Sequence, residues 1–119
     1  MSADYFFTSI PEVSVETLAE QLSEQSETLQ LLDVREPQEL AIASLAGFRN
    51  LPLSEFPDWS RQIERHLNPH QETLVICHHG MRSAQVCQWL IKQGFTNVKN
   101  VGGGIDAYSL RIDPSLPRY

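Results

Sequence analysis

Cys77-His-His-Gly-Met-Arg82, followed directly by Ser83, is the stretch of this chain best suited to chemistry. The run before it, Thr73-Leu-Val-Ile76, is β-branched and apolar and reads as a buried strand. From Ser83 onward the spacing turns helical. A six-residue loop that leaves a strand and feeds a helix N-terminus can aim several backbone N–H groups at one point, and the helix dipole adds positive potential. A cysteine at the start of such a loop is expected as a thiolate, steadied by those amides and by the Arg82 guanidinium, and therefore as a nucleophile. Gly80 can relax the backbone sterics of the loop. Ser83 either donates its hydroxyl to the thiolate or caps the helix. His78 and His79 read as loop-exposed groups that tune substrate charge and access, and Met81 completes the loop.

Each of these residues also has an inert reading. A cysteine is often just a small buried hydrophobe, and that is the reading for Cys87, which shares an apolar helix face with Ala84, Leu90 and Ile91. For Cys77 the coincidence of strand, glycine, arginine and helix points to reactivity instead. Cys-His-His invites a metal, but side chains on adjacent residues usually diverge and zinc ligands are normally spaced by two to four residues, so no metal is expected. His66 and His70 flank a helix end and read as solvated. Gly102-Gly-Gly104 lacks the spacing of a dinucleotide fingerprint and reads as a tight turn close to the reactive loop.

The elements that must hold this loop follow from periodicity. Ser14 is an N-cap, after which Val15, Leu18, Ala19 and Leu22 line one helix face. The stretch from Leu29 to Val34 is a buried strand, and Pro37 opens a short helix through Leu40 and Ile42. Leu51-Pro-Leu53 reads as a brief edge strand, since proline tolerates an edge. Phe56, Trp59, Ile63 and Leu67 mark a further amphipathic helix, closed by Asn68-Pro69. After the Ser83 helix, with Lys92 in its last turn and Gly94 just beyond, come a strand over Val98 to Val101 and a short helix from Ile105 to about Leu110. Strands alternating with helices predict a parallel sheet covered on both faces, an α/β domain.

Composition sets the outer bounds. A chain of 119 residues is one ordinary domain. Nine basic against fifteen acidic residues leave a net charge of −6, which argues against nucleic acid or an anionic membrane as the main partner. No apolar run approaches the length of a membrane span. The N-terminal residues lack the basic and long apolar regions of a secretory signal. Two cysteines cannot build a disulfide framework. A cytoplasmic setting is expected.

Four ordered motifs resemble the rhodanese homology domain. The loop Cys77 to Arg82 is similar to the family's Cys-x-x-Gly-x-Arg, with Ser83 after it. Asp33-Val-Arg35, with Glu39 four residues on, resembles its Asp-Val-Arg-x-x-x-Glu. Gly94-Phe95 and Gly103-Gly-Ile-Asp-Ala-Tyr108 resemble its Gly-Phe and Gly-Gly-x-x-Ala-Trp signatures. The likeness covers about residues 12–110, and the tail 111–119 should be irregular because Pro114 and Pro117 block regular hydrogen bonding. That tail is similar to the ends of rhodanese domains fused to ubiquitin-activating-like adenylyltransferases. One departure stands out: Ala43-Ser-Leu-Ala-Gly-Phe48 replaces the frequent Gly-His-Ile-Pro-Gly-Ala.

The resemblance implies a three-layer α/β/α domain spanning residues 1–119, with a mainly parallel sheet of about five strands. It implies sulfurtransferase chemistry: Cys77 takes the sulfane sulfur of a donor such as thiosulfate, becomes a persulfide, and passes the sulfur to cyanide or a thiol. No metal or organic cofactor is implied, and a sulfur-relay protein is a candidate partner. Asp33 and Arg35 either position the loop or form an ordinary ion pair between strand ends. Phosphatases of this fold carry one more residue between cysteine and arginine. The four residues here shape a cradle for one sulfur rather than for a tetrahedral oxyanion. A non-catalytic module, or a persulfide carrier serving a partner, is the remaining alternative.

Overall fold

The computed structural model describes residues 10–119, so the reading of the N-terminal residues as free of a secretory signal lies largely outside the described part. Five strands form one sheet: β1 (Glu12–Val13), β2 (Gln30–Asp33), β3 (Arg49–Asn50), β4 (Thr73–Ile76) and β5 (Val98–Val101). Their order is β1-β5-β4-β2-β3 and every pairing is parallel. All five carboxyl ends therefore lie along one edge, where loops leave the sheet and ligands of open parallel sheets bind. β4 sits at the centre with all four residues buried, which is why its sequence is an unbroken apolar run.

Alternation along β4 feeds two cores. Val75 joins Leu32, Val34, Trp59, Val86 and Leu90 on one face. Leu74 and Ile76 join Val15, Leu18, Val101, Ile105 and Tyr108 on the other. Each fully buried aliphatic side chain contributes about 1.5–3 kcal/mol by leaving water. Helix α1 (Val15–Glu24) and helix α6 (Gly104–Arg111) cover the second face, and α5 (Met81–Lys92) covers the first. The expected three-layer architecture is present, with a sheet that is parallel throughout.

Local signals placed most elements well. The Ser14 side chain accepts from the Thr17 N–H at 3.1 Å and starts α1. Pro37 opens α2 (Pro37–Ile42), where Glu36 and Glu39 form a reciprocal capping box. Three expectations fail. The edge strand is Arg49–Asn50, because Asn50 registers with Asp33 while Leu51 to Leu53 turns away through Pro52 into a 3-10 turn. The single helix over Phe56 to Leu67 is broken into α3 (Phe56–Trp59), a 3-10 turn and α4 (Ile63–His66). Trp59 drives its indole N–H onto the Pro52 carbonyl at 2.8 Å and packs edge-on against Phe56 and Trp89, so tertiary contacts override the 3.6-residue period. Along α5 the buried face is Ser83, Val86, Cys87 and Leu90, and Ile91 is exposed.

Candidate active site

The reactive loop leaves the centre of the sheet. Cys77 directly follows β4, and Gly80 is the N-cap of α5 in the left-handed region, with φ of 96°. A side chain at Gly80 would crowd the Gly103 N–H and the Val101 carbonyl, so glycine serves both conformation and close approach. The helix begins at Met81, two residues earlier than its apolar pattern suggested, and Ser83 lies within its first turn rather than at its cap. Met81 is 75% exposed and points away from the core.

Cys77 is 1% exposed, yet its sulfur lies beside polar donors. The Gly80 N–H donates to Sγ at 3.1 Å, and the Ser83 hydroxyl lies 3.2 Å from it. Carbonyls of the loop face outward: Cys77 O accepts from the Ile105 N–H at 2.9 Å and His78 O from the Asp106 N–H at 3.1 Å. The Gly102–Gly104 turn thus packs the start of α6 against the loop, as its position suggested. A side chain at Gly104 would overlap those same two carbonyls. With these two carbonyls drawn outward, the Gly80 N–H faces the sulfur.

Arg82 is placed differently from expectation. Its fork closes on Glu39, with Nη1 to Oε2 at 2.8 Å and Nη2 to Oε1 at 2.9 Å. The Arg82 guanidinium, with help from the Glu36 N–H and Tyr119, holds the Glu39 carboxyl at about 2, well below the usual carboxylate range, and Glu39 in turn raises Arg82. The charge that the sequence assigned to the cradle is therefore largely balanced by a carboxylate from α2. Glu39 was legible only as the end of a motif.

Asp33 and Arg35 form a buried pair at the end of β2. The Arg35 Nε donates to both carboxylate oxygens at 3.0 and 3.1 Å, and Nη2 to Oδ2 at 2.7 Å. Arg35 also donates to the Ala43 carbonyl at 2.9 Å and to the Tyr119 hydroxyl at 2.9 Å. These contacts brace the β2 end and the segment through Ala43. Their link to the Cys77 loop is indirect and passes through Tyr119 and through Glu39, whose carbonyl accepts from Arg35 Nη1 at 3.4 Å.

Tyr119 is the rim residue that sequence reasoning missed. Its ring stacks on His78 with centroids 3.8 Å apart and planes 8° from parallel, and its hydroxyl donates to Glu39 Oε1 at 3.0 Å. The tail reaches this position because Ser109 Oγ donates to the Leu116 carbonyl at 2.6 Å and Arg118 Nε donates to Asp106 at 3.0 Å. Its proline content signalled irregularity, and it is irregular, but nothing local could show where it docks.

His79 is exposed as expected, whereas His78 is half-buried under Tyr119 with its Nε2 unpartnered. Burial, and then the neighbouring His79, lowers the His78 pKa below the usual histidine value. The two rings do not diverge: their centroids lie 3.8 Å apart with the planes tilted by 31°, and with Asp106 their ligand atoms fall within 4.8 Å of one another. Chelation would need these ligand atoms to converge on one ion. Asp106 is moreover taken by Arg118. Cys87, 0% exposed on the apolar face of α5, has its thiol pushed up to about 12 by burial and, secondarily, by Cys77.

The site thus places a buried cysteine at the carboxyl edge of the parallel sheet of an α/β domain, with the Gly80 N–H and the Ser83 hydroxyl on its sulfur at the start of α5. The family model for the Rhodanese-like domain matches residues 14–111, and the chain belongs to that family. It is 46% identical over 112 residues to the Rhodanese-like/PpiC domain-containing protein 12, chloroplastic, of Arabidopsis thaliana, covering 92% of this chain and 38% of that relative. The chain thus spans well under half of that protein. It is 34% identical over 105 residues to the putative sulfurtransferase YtwF of Bacillus subtilis, covering 88% of this chain and 96% of that one. Among solved structures, a rhodanese-related protein from Thermoplasma volcanium superposes with a TM-score of 0.68 at 33% identity, covering 90% and 95% of the two chains. Other relatives carry sulfur carrier or adenylyltransferase and sulfurtransferase in their names.

Proposed function

We propose that this domain transfers sulfane sulfur through a persulfide on Cys77. The observation that carries the reading is a buried sulfur met by the Gly80 N–H at 3.1 Å and the Ser83 hydroxyl at 3.2 Å, at the mouth of a four-residue spacing to Arg82. In the first half-reaction the Cys77 thiolate attacks the outer sulfur of thiosulfate. A new S–S bond forms at Cys77, the S–S bond of thiosulfate breaks, and sulfite leaves with the electron pair. In the second, cyanide or a thiolate attacks the outer sulfur of the persulfide, and Cys77 Sγ leaves with its electron pair. Such exchange favours a thiol that is both a competent nucleophile and a good leaving group. The chemistry needs no metal or organic cofactor, since the electron pairs balance between sulfur atoms. We place the protein in the cytoplasm, where free thiols such as those of Cys77 and Cys87 persist.

A persulfide carrier that hands sulfur to a relay protein is the second reading. It is favoured by the closure of Arg82 on Glu39, which leaves less open charge for a small dianion than the sequence suggested. Intact-mass measurement after incubation with thiosulfate separates the readings. The expected result is one added sulfur atom on Cys77, removed again by cyanide with repeated turnover. Uptake with negligible turnover selects the carrier. Absence of uptake together with efficient hydrolysis of an aryl phosphate would replace both with a phosphatase.

A further inference from the structure

We propose that Asn100 is a positioning residue that competes with Cys77 for the single hydroxyl proton of Ser83, and so meters how strongly the cradle stabilises charge on the sulfur. Its part in the catalytic cycle rests on the persulfide reading above.

The argument is one of hydrogen-bond stoichiometry. Ser83 Oγ has one proton and two neighbours placed to accept it: Asn100 Oδ1 at 2.6 Å and Cys77 Sγ at 3.2 Å. The orientation of the Asn100 amide follows from its other partner. The Gly80 carbonyl, 3.0 Å from Nδ2, can only accept, so Nδ2 must face it and Oδ1 must face Ser83. Oδ1 in turn can only accept. Ser83 is 0% and Asn100 4% exposed, so water offers neither a substitute partner. The hydroxyl must therefore choose.

Its choice depends on the charge on sulfur. A neutral divalent sulfur, as in the thiol or the inner atom of a persulfide, is a weak acceptor, and the proton stays on the short bond to Asn100. A thiolate makes a charge-assisted bond roughly twice as strong, and the hydroxyl turns toward it, leaving Oδ1 unpartnered. Stabilisation of the thiolate is thereby reduced by the bond that Asn100 loses. A thiolate stabilised less is the better nucleophile in the loading step, and it still gains a donor when it departs in the discharge step. Asn100 also grips the loop through Gly80, whose own N–H meets the sulfur, so both polar contacts of Cys77 connect to this one side chain.

The midpoint of Cys77 alkylation by iodoacetamide against pH, followed by peptide mass spectrometry, reads the competition without any sulfur donor. Asn100→Ala frees the hydroxyl for the thiolate and should move the midpoint down, by about a five-fold change in acidity. Asn100→Asp, a stronger acceptor of the same shape, should move it up. In a Ser83→Ala background Asn100→Ala should leave the midpoint unchanged, because the shared proton is gone. Asn100→Ser serves in place of Asn100→Ala if the latter does not fold. A downward shift of equal size with and without the Ser83 hydroxyl overturns the proposal and leaves Asn100 as a brace for Gly80. Shifts of the same sign in Asn100→Ala and Asn100→Asp overturn it as well. Failure of the wild-type chain to take up sulfur overturns the sulfurtransferase reading and not this competition.

Discussion

Cys77 and Cys87 lie ten positions apart in the sequence, and the core hides them almost equally, at 1% and 0% exposure. Burial therefore does not distinguish the sulfur proposed as the nucleophile from that of Cys87. The surroundings do. Cys87 packs on the apolar face of α5 beside Val86 and Leu90, where burial opposes any charge and pushes its thiol up to about 12. Cys77 meets an amide and a hydroxyl at the N-terminus of the same helix. A low-dielectric interior penalises a charge that lacks partners and strengthens the interactions of one that has them. Cys77 has such donors beside it and Cys87 has hydrocarbon.

The largest effect should come from exchanging the sulfur for oxygen at each site. Cys77→Ser should lose sulfur uptake entirely while folding normally, because a hydroxyl is a far poorer nucleophile at neutral pH. Cys87→Ser should keep uptake but lose roughly 1–3 kcal/mol of stability in urea unfolding, since its hydroxyl finds no partner there. Equal loss of uptake in both folded variants would erase the contrast.

A smaller but still large effect is expected at the neighbouring strand end. Arg35→Met strands the buried Asp33 carboxylate and should cost about 3–5 kcal/mol of stability. Because that pair reaches the loop only indirectly, through Tyr119 and Glu39, alkylation of Cys77 in the folded variant should change little. A large change in alkylation would show that the pair acts on the sulfur directly.

Arg82→Lys keeps the charge and loses the planar fork that meets Glu39 at 2.8 and 2.9 Å. Sulfur uptake should fall roughly ten-fold, in line with loss of one charge-assisted hydrogen bond. The same pair has a pH signature. The folded carboxyl of Glu39 titrates at about 2, below its ordinary value, so its stabilisation is complete above the ordinary carboxylate range and is lost as pH falls toward 2. Thermal unfolding of the wild type should exceed that of Glu39→Gln at neutral pH, and the gap should close between about pH 5 and pH 2. A gap independent of pH would mean that Glu39 acts through packing alone.

Tyr119→Phe should show the smallest effect. The substitution keeps the stack on His78 and removes the hydroxyl bonds to Arg35 and Glu39, for a loss of about 1 kcal/mol. Restoration of most wild-type stability and uptake relative to Tyr119→Ala would assign the tail's hold on the rim to the ring rather than to the hydroxyl.

Much of this molecule follows from chemistry local to the chain. The alternation of strands and helices, the proline-opened α2, the Ser14 cap, the glycine of the Cys77 loop and the candidate nucleophile at its start are written within spans of a few residues, because periodicity, capping and turn geometry are short-range effects. The same reasoning failed where partners come from afar. Asn100 reaches Ser83 from β5, Glu39 reaches Arg82 from α2, and Tyr119 crosses to His78 from the end of the described chain. The helix after Phe56 breaks for Trp59's bond to Pro52 and its aromatic neighbours, which no helical period encodes. Long-range pairs of this kind depend on which strand ends the sheet order brings together. With β4 flanked by β2 and β5, a loop that already supplied its own amides also acquired a carboxylate from one neighbour and an amide side chain from the other.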